Sequence, residues 1–261
     1  MPDKENFAML SWIRDLDQLL RGSKTGPDLA TSEGSAIPLR VFVPLAIILG
    51  ASYGFFMGWY SFGVRDDDAG KWQMLASVVK VPALFLLTLL VTFPSLYVFS
   101  ALGGCRLGFL ATLRLLVAAI VVNLAVAAAF GPILAFFTVS TESYSFMILL
   151  NVALLSLAGL VGCGFLLRSL RSLMSTPNAP IEPPQEDQPE PARLPLSTAS
   201  NLTASSIFRV WVVIYALVGA QMGWVLRPFI GSPDAPFTFF RNREGNFFLS
   251  VFNHLSKLLE M

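Results

Sequence analysis

The sequence predicts an all-α polytopic membrane protein with about five transmembrane helices and amphipathic helices at both ends. Three observations carry this. Of the 261 residues, 54% are hydrophobic and only 13% charged, with a mean hydropathy of +0.64, against about 25% charged in ordinary soluble domains. Five uncharged apolar runs follow one another: Val41 to Phe62, Val81 to Ala101, Leu115 to Phe137, Ser145 to Leu167 and Val210 to Leu226. None alternates apolar with polar residues as a membrane barrel strand does, so the runs read as helices.

The segment 1–40 precedes the first span and begins with an amphipathic pattern. Met9, Trp12, Ile13, Leu16, Leu19 and Leu20 recur at helical spacing opposite Arg14, Asp15, Asp17, Gln18 and Arg21. The long apolar run starts too late for a secretory signal, so the N-terminus is expected to be retained. Residues 41–174 form the membrane domain of spans one to four. In the first span Gly50, Gly54 and Gly58 recur every four residues, a small-residue stripe that admits close approach of another helix, within the chain or between copies. Pro82, Pro94 and the pair Gly131 and Pro132 are expected to kink their helices, since proline removes a backbone donor. Thr138 to Tyr144 is short enough to make spans three and four an antiparallel hairpin.

Residues 175–206 contain a Pro-rich acidic run that is expected to be a flexible linker, either a plain spacer or an extended docking site. The fifth span, 207–230, is flanked by Arg209 and Arg227, which can snorkel to the two headgroup layers. The tail, 231–261, is aromatic and then amphipathic. Phe248, Val251, Phe252, Leu255, Leu258 and Leu259 form its apolar stripe, with Asn253, His254, Ser256 and Lys257 opposite, so His254 is expected on a solvated face.

The greater part of the eighteen Lys and Arg residues falls on the side of the N-terminus, which predicts a cytoplasmic N-terminus and an outside C-terminus. The membrane is expected to be a bacterial inner membrane. A net charge of +1 offers no basic field for nucleic acid. Cys105 and Cys163 make no disulfide framework and read as packing residues.

The interior offers little for catalysis. The runs hold no Asp, Glu, His or Lys at mid-span, His254 is the single histidine, and no spacing suits a metal, a nucleotide or an activated nucleophile. No cofactor and no metal are expected, and the protein is read as a non-enzyme. Its buried polar candidates are neutral: Asn123, Asn151 and Gln221 are either interhelix glue, at about 0.6 kcal/mol each, or the lining of a pore. Trp224, Arg227, Phe229, Phe239, Phe240 and Arg241 mix rings with guanidinium groups, as an interfacial belt or a contact with another protomer or partner does.

The number of spans, the long polar N-terminal segment and the turn Leu102–Gly103–Gly104 between spans two and three resemble the Yip family of membrane proteins. The resemblance implies a small helical membrane protein that binds other proteins or shapes membrane without cofactor or catalysis. The expected function is that of an organising or accessory subunit acting through lipid and protein contacts, in a homo-oligomer or with other membrane proteins. The alternative is a channel or transporter subunit whose pore forms by oligomerisation.

Overall fold

The computed structural model describes residues 14–21, 39–64, 68–102, 109–175, 196–227, 229–231, 236–240 and 245–259. Helices α1 (Leu39–Val64), α2 (Asp68–Leu102), α3 (Phe109–Ala129), α4 (Gly131–Ser140), α5 (Tyr144–Ser175), α6 (Leu196–Leu226) and α7 (Phe247–Leu259) account for nearly all of it. No strand occurs among the described residues. Five stretches are long and apolar enough to cross a membrane, Leu39–Gly63, Asp68–Val98, Phe109–Ser140, Tyr144–Ser169 and Arg209–Leu226. The chain is an integral membrane protein.

Alternating spans define two ends of the bundle. The end that carries the chain after α6 is called the tail end here, and the opposite one the linker end. Helix α1 is central, packed on α2, α3 and α4; α5 packs on α3, and α6 packs chiefly on α2. The helices thus form an open ring in the order α6, α2, α1, α3, α5, and the seam between α5 and α6 is only lightly closed.

The glycine stripe of α1 makes a close contact with the backbone of α2, and it lies within the chain. A Cβ at Gly54 would stand 2.5 Å from the Ser77 carbonyl oxygen, one at Gly58 2.6 Å from the Met74 Cα, and one at Gly50 3.0 Å from the Pro82 Cα. Glycine is required there because α2 presents its backbone to α1, leaving no volume for a side chain. Pro82 and Pro94 sit inside α2 without ending it. The Gly131 and Pro132 pair does break its span. Phe130 forms a turn, and Pro132 stands in the first turn of α4, where its missing N–H costs no helical bond. Gly131 also lets the Phe56 ring of α1 lie against its backbone. The connection to α5 is residues 141–143, and Tyr60 of α1 pins it by donating to the Glu142 carbonyl at 2.8 Å.

Two expected boundaries shift. The second span begins at Asp68 rather than Val81, because the tail engages Gln73 and Lys80 while Lys71 pairs with Asp68 at 2.8 Å. At about 1.5 Å per residue its 35 residues exceed a ~30 Å hydrocarbon core, so its first turns project beyond it. The 175–206 segment is helical from Leu196, which directly follows the last proline, Pro195; its residues 176–195 lie outside the described ones. The N-terminal amphipathic helix is described only over residues 14–20, with Leu19 fully buried and Arg21 paired to Asp17 at 2.8 Å. Met9, Trp12, Ile13, Cys105 and most of the Leu102–Gly104 turn lie outside the described residues.

Gly159 of α5 and the two glycines of α6 differ from Gly50, Gly54 and Gly58 of α1. Nothing lies within 4 Å of a Cβ at Gly159, and Gly219 and Gly223 meet only the tips of Thr88 at 3.6 Å and Leu84 at 4.0 Å. Gly54→Ala is therefore expected to cost about 1–3 kcal/mol by overpacking and to lower the thermal midpoint in detergent, whereas Gly159→Ala leaves it in place. Equal midpoints for the two variants would contradict the α1–α2 contact.

Candidate functional site

Two features meet at the tail end: a clamp that holds the chain after α6, and a cavity left by the open seam. The clamp starts from a chemical need, since a backbone that leaves its helix near the membrane must find other partners for its carbonyls. The Phe229 carbonyl accepts from Gln73 Nε2 at 3.0 Å and from the Ser77 hydroxyl of α2. The Ile230 carbonyl accepts from Tyr144 Oη of α5 at 3.2 Å. A Cβ at Gly231 would meet the side-chain atoms Ser61 Oγ of α1 at 2.5 Å and Gln73 Cγ at 2.9 Å, so the bare glycine lets the chain lie close to both without their moving aside.

Lys80 extends the clamp. Its residue is only 1% exposed, its ammonium donates to the Phe239 carbonyl, and it faces the rings of Phe239 at 4.5 Å and Phe240 at 5.5 Å. Side chains of a helix lean toward its N-terminus, which for α2 is the tail end, and that lean carries the charge outward. Lys80 escaped the sequence reading because a hydropathy window cuts a helix at its first charge. The signal that finds it is the aromatic and proline-rich tail, which supplies rings and free carbonyls.

Trp224, Arg227, Phe229, Phe239 and Phe240, expected at an interface or partner contact, are thus engaged within the chain. The Arg227 guanidinium lies 3.6 Å from the Trp224 ring centre, and Trp224 Nε1 donates to the Gly245 carbonyl at 3.1 Å. Arg241 lies outside the described residues. His254 is not on a solvated face. It is half-buried, with Nδ1 3.0 Å from Ser145 Oγ and its ring edge-on to Tyr144, because α7 turns Phe247, Ser250, Val251 and His254 toward the bundle. Phe248, Phe252, Leu255 and Leu259 face outward, as an interfacial helix requires.

Beneath α7 the seam encloses a cavity of about 850 Å³ reaching from Arg227 and His254 past Gly219 and Gly159 to Trp211 and Leu166. Trp211 Nε1 donates to the Thr92 carbonyl at 3.1 Å and Tyr215 to that of Phe85 at 3.4 Å, so α6 is tied to α2 and turned from α5. Comparison with protein-family models, curated proteins and solved structures gave no match. The reading of the site therefore rests on its own geometry.

The three amides do not share one environment. Asn151 is consumed by helix contacts, accepting from Tyr53 Oη at 3.0 Å and donating to the Met147 carbonyl at 2.8 Å. Gln221 is half-buried and does not line the cavity. Asn123 lines it, is 8% exposed, and its Oδ1 has no hydrogen-bond partner. An orphaned buried amide costs about 1–3 kcal/mol, which is disproportionate for a residue serving only as glue.

Burial, and then the positive charge of Lys257, hold the His254 pKa below its ordinary 6.5. A depressed histidine favours the folded form while neutral. Its contribution is full above about 6.5 and is lost as the pH falls through that value, because the undocked helix takes up the proton first. A spin label at Leu255 should grow more mobile between pH 7.5 and pH 5, and His254→Gln should flatten that response. An acid-induced gain in mobility that survives the substitution would assign it to another group.

Proposed function

We propose that this is a non-enzymatic membrane protein serving as an organising or accessory subunit, acting through contacts with lipid and with other membrane proteins or further copies of itself. The open seam between α5 and α6 carries the reading. Gly50, Gly54 and Gly58 of α1 are spent on close helix contact, while Gly159, Gly219 and Gly223 at the seam leave volume that the chain itself does not fill. Leu160, 69% exposed, lines it, and such a lateral opening suits a binding role more than through-passage. The likeness in span number to the Yip family supports the same reading.

The proposed setting is a bacterial inner membrane, whose proteins are helical where outer-membrane spans are barrels, with the N-terminus cytoplasmic and the C-terminus outside by the Lys and Arg bias. A pore built by oligomerisation draws on Asn123 and Asn151, which both line the cavity. It is the weaker reading because the Asn151 amide is already bonded and Gln221 lies elsewhere. Liposomes holding the protein are expected to retain ions and small dyes as well as protein-free vesicles do. A photoreactive residue replacing Leu160 should give a lipid or polypeptide adduct at higher yield than one replacing Phe136 on α4. Permeation that disappears with Asn123→Leu would reverse the choice.

A further inference from the structure

We propose that the seam cavity binds an uncharged membrane lipid with a free hydroxyl, a long-chain alcohol in chemical terms, whose hydroxyl donates to Asn123 Oδ1 and whose apolar body fills the glycine-lined volume. This rests on the accessory reading above and names its ligand class. The starting point is Asn123. It is more than nine-tenths buried, it lines the cavity, and its Oδ1 has no partner. An acceptor left unmet beside open volume is answered by a donor that enters that volume.

The deep wall spends its own donors elsewhere. Thr88 donates to the Leu84 carbonyl and Ser156 to that of Val152, both at 2.6 Å. The polar edges of Trp211 and Tyr215 go to carbonyls of α2, and the Asn151 amide donates to the Met147 carbonyl. Cys163 brings only the weak donor of a thiol. Water is a poor substitute. A buried water needs about two to four polar partners, whereas the lining nearest Asn123 along α3 and α5 is Ala119, Ile120, Gly159 and Gly162.

Depth then sets the charge. Asn123 stands at the middle of the membrane-crossing stretch Phe109–Ser140, about 21 Å from its start by helical rise. A charged group is costly at that depth, so a phospholipid keeps its head in the headgroup layer and passes Asn123 with acyl carbons that have no donor. A lipid whose polar part is one hydroxyl gives up far less hydration on reaching the same level. A hydroxyl also accepts, so it can take the amide N–H in return.

Shape agrees with this chemistry. The volume of about 850 Å³ lies within the range of about 300–1,000 Å³ found for small-ligand sites. Gly159, Gly219 and Gly223 leave room along it, and the exposed Leu160 marks the lateral opening through which a ligand dissolved in the bilayer enters. Gly162 fixes where the amide stands, since its missing side chain admits the Asn123 Cβ, which would be 2.9 Å from a Cβ there.

The test uses the full chain in non-ionic detergent, immobilised and offered radiolabelled oleyl alcohol, its methyl ether or oleyl sulfate at equal concentration, with the label retained per protein counted after a detergent wash. Oleyl alcohol is expected to be retained about fivefold over the methyl ether, as one neutral hydrogen bond allows. It should exceed oleyl sulfate about tenfold or more, because a fixed charge does not follow the hydroxyl to that depth. Asn123→Leu should bring alcohol and ether to equal retention with the thermal midpoint kept or raised, and Gly159→Leu, which enters open space, should cut retention of both. Equal retention of alcohol and ether by the unaltered protein overturns the proposal without recourse to any variant. A preference for oleyl sulfate overturns it as well, by moving the polar end to the mouth of the cavity, and so does an alcohol preference that survives Asn123→Leu. None of these results touches the accessory reading, which falls instead on vesicle permeation.

Discussion

Three carbonyls of the chain after α6, those of Phe229, Ile230 and Phe239, are held by side chains that lie far back in the sequence: Gln73, Ser77, Tyr144 and Lys80. The rest of the architecture depends on these bonds. A backbone that has left its helix beside hydrocarbon must be satisfied or be expelled, and here α2 and α5 satisfy it together. Because α6 is also tied to α2 through Trp211 and Tyr215, it is fixed without the help of α5. The seam beside α5 is left open as a consequence.

The clamp in turn needs the glycine stripe. Gly50, Gly54 and Gly58 bring α1 onto the backbone of α2, which places Ser61 beside Gly231 and Tyr60 over the turn before α5. One helix contact therefore sets the positions from which the tail is gripped. Its opposite is the Gly159, Gly219 and Gly223 set, where the absence of side chains creates volume and not contact. Small residues of the same kind thus close one interface and hold another apart, and the difference lies in what each faces.

The helical class, the spans and the kink at Gly131 and Pro132 were legible because hydropathy and proline act locally. The close contact of Gly50, Gly54 and Gly58 was legible from its spacing of four, although the sequence left open that the partner is α2 of the same chain. The clamp was not legible. Gln73 and Phe229 are 156 residues apart, and nothing local to a glutamine says that it will meet a carbonyl in another segment. Lys80 stands just outside the apolar run that begins at Val81, since apolar windows end at charges while helices need not. Asn123 and Asn151 looked alike in sequence, and only the reach of Tyr53 separates the satisfied amide from the orphaned one. The cavity was hidden for a related reason, since a glycine that packs and a glycine that leaves space have the same local signature.

The gripping of the tail by its own bundle is tested most directly by a cross-link between Ser61 and Gly231. Their Cβ positions, 3.3 Å apart, are near the separation of about 3.5–4.5 Å that a disulfide spans. In a protein with Cys105 and Cys163 replaced by alanine, Ser61→Cys and Gly231→Cys are introduced together with a protease site among residues 176–195, and the membranes are oxidised and then cut. The account predicts that the two fragments stay joined at the size of one chain until a reductant is added. Fragments that separate without reductant, or that join only at the size of two chains, would contradict it.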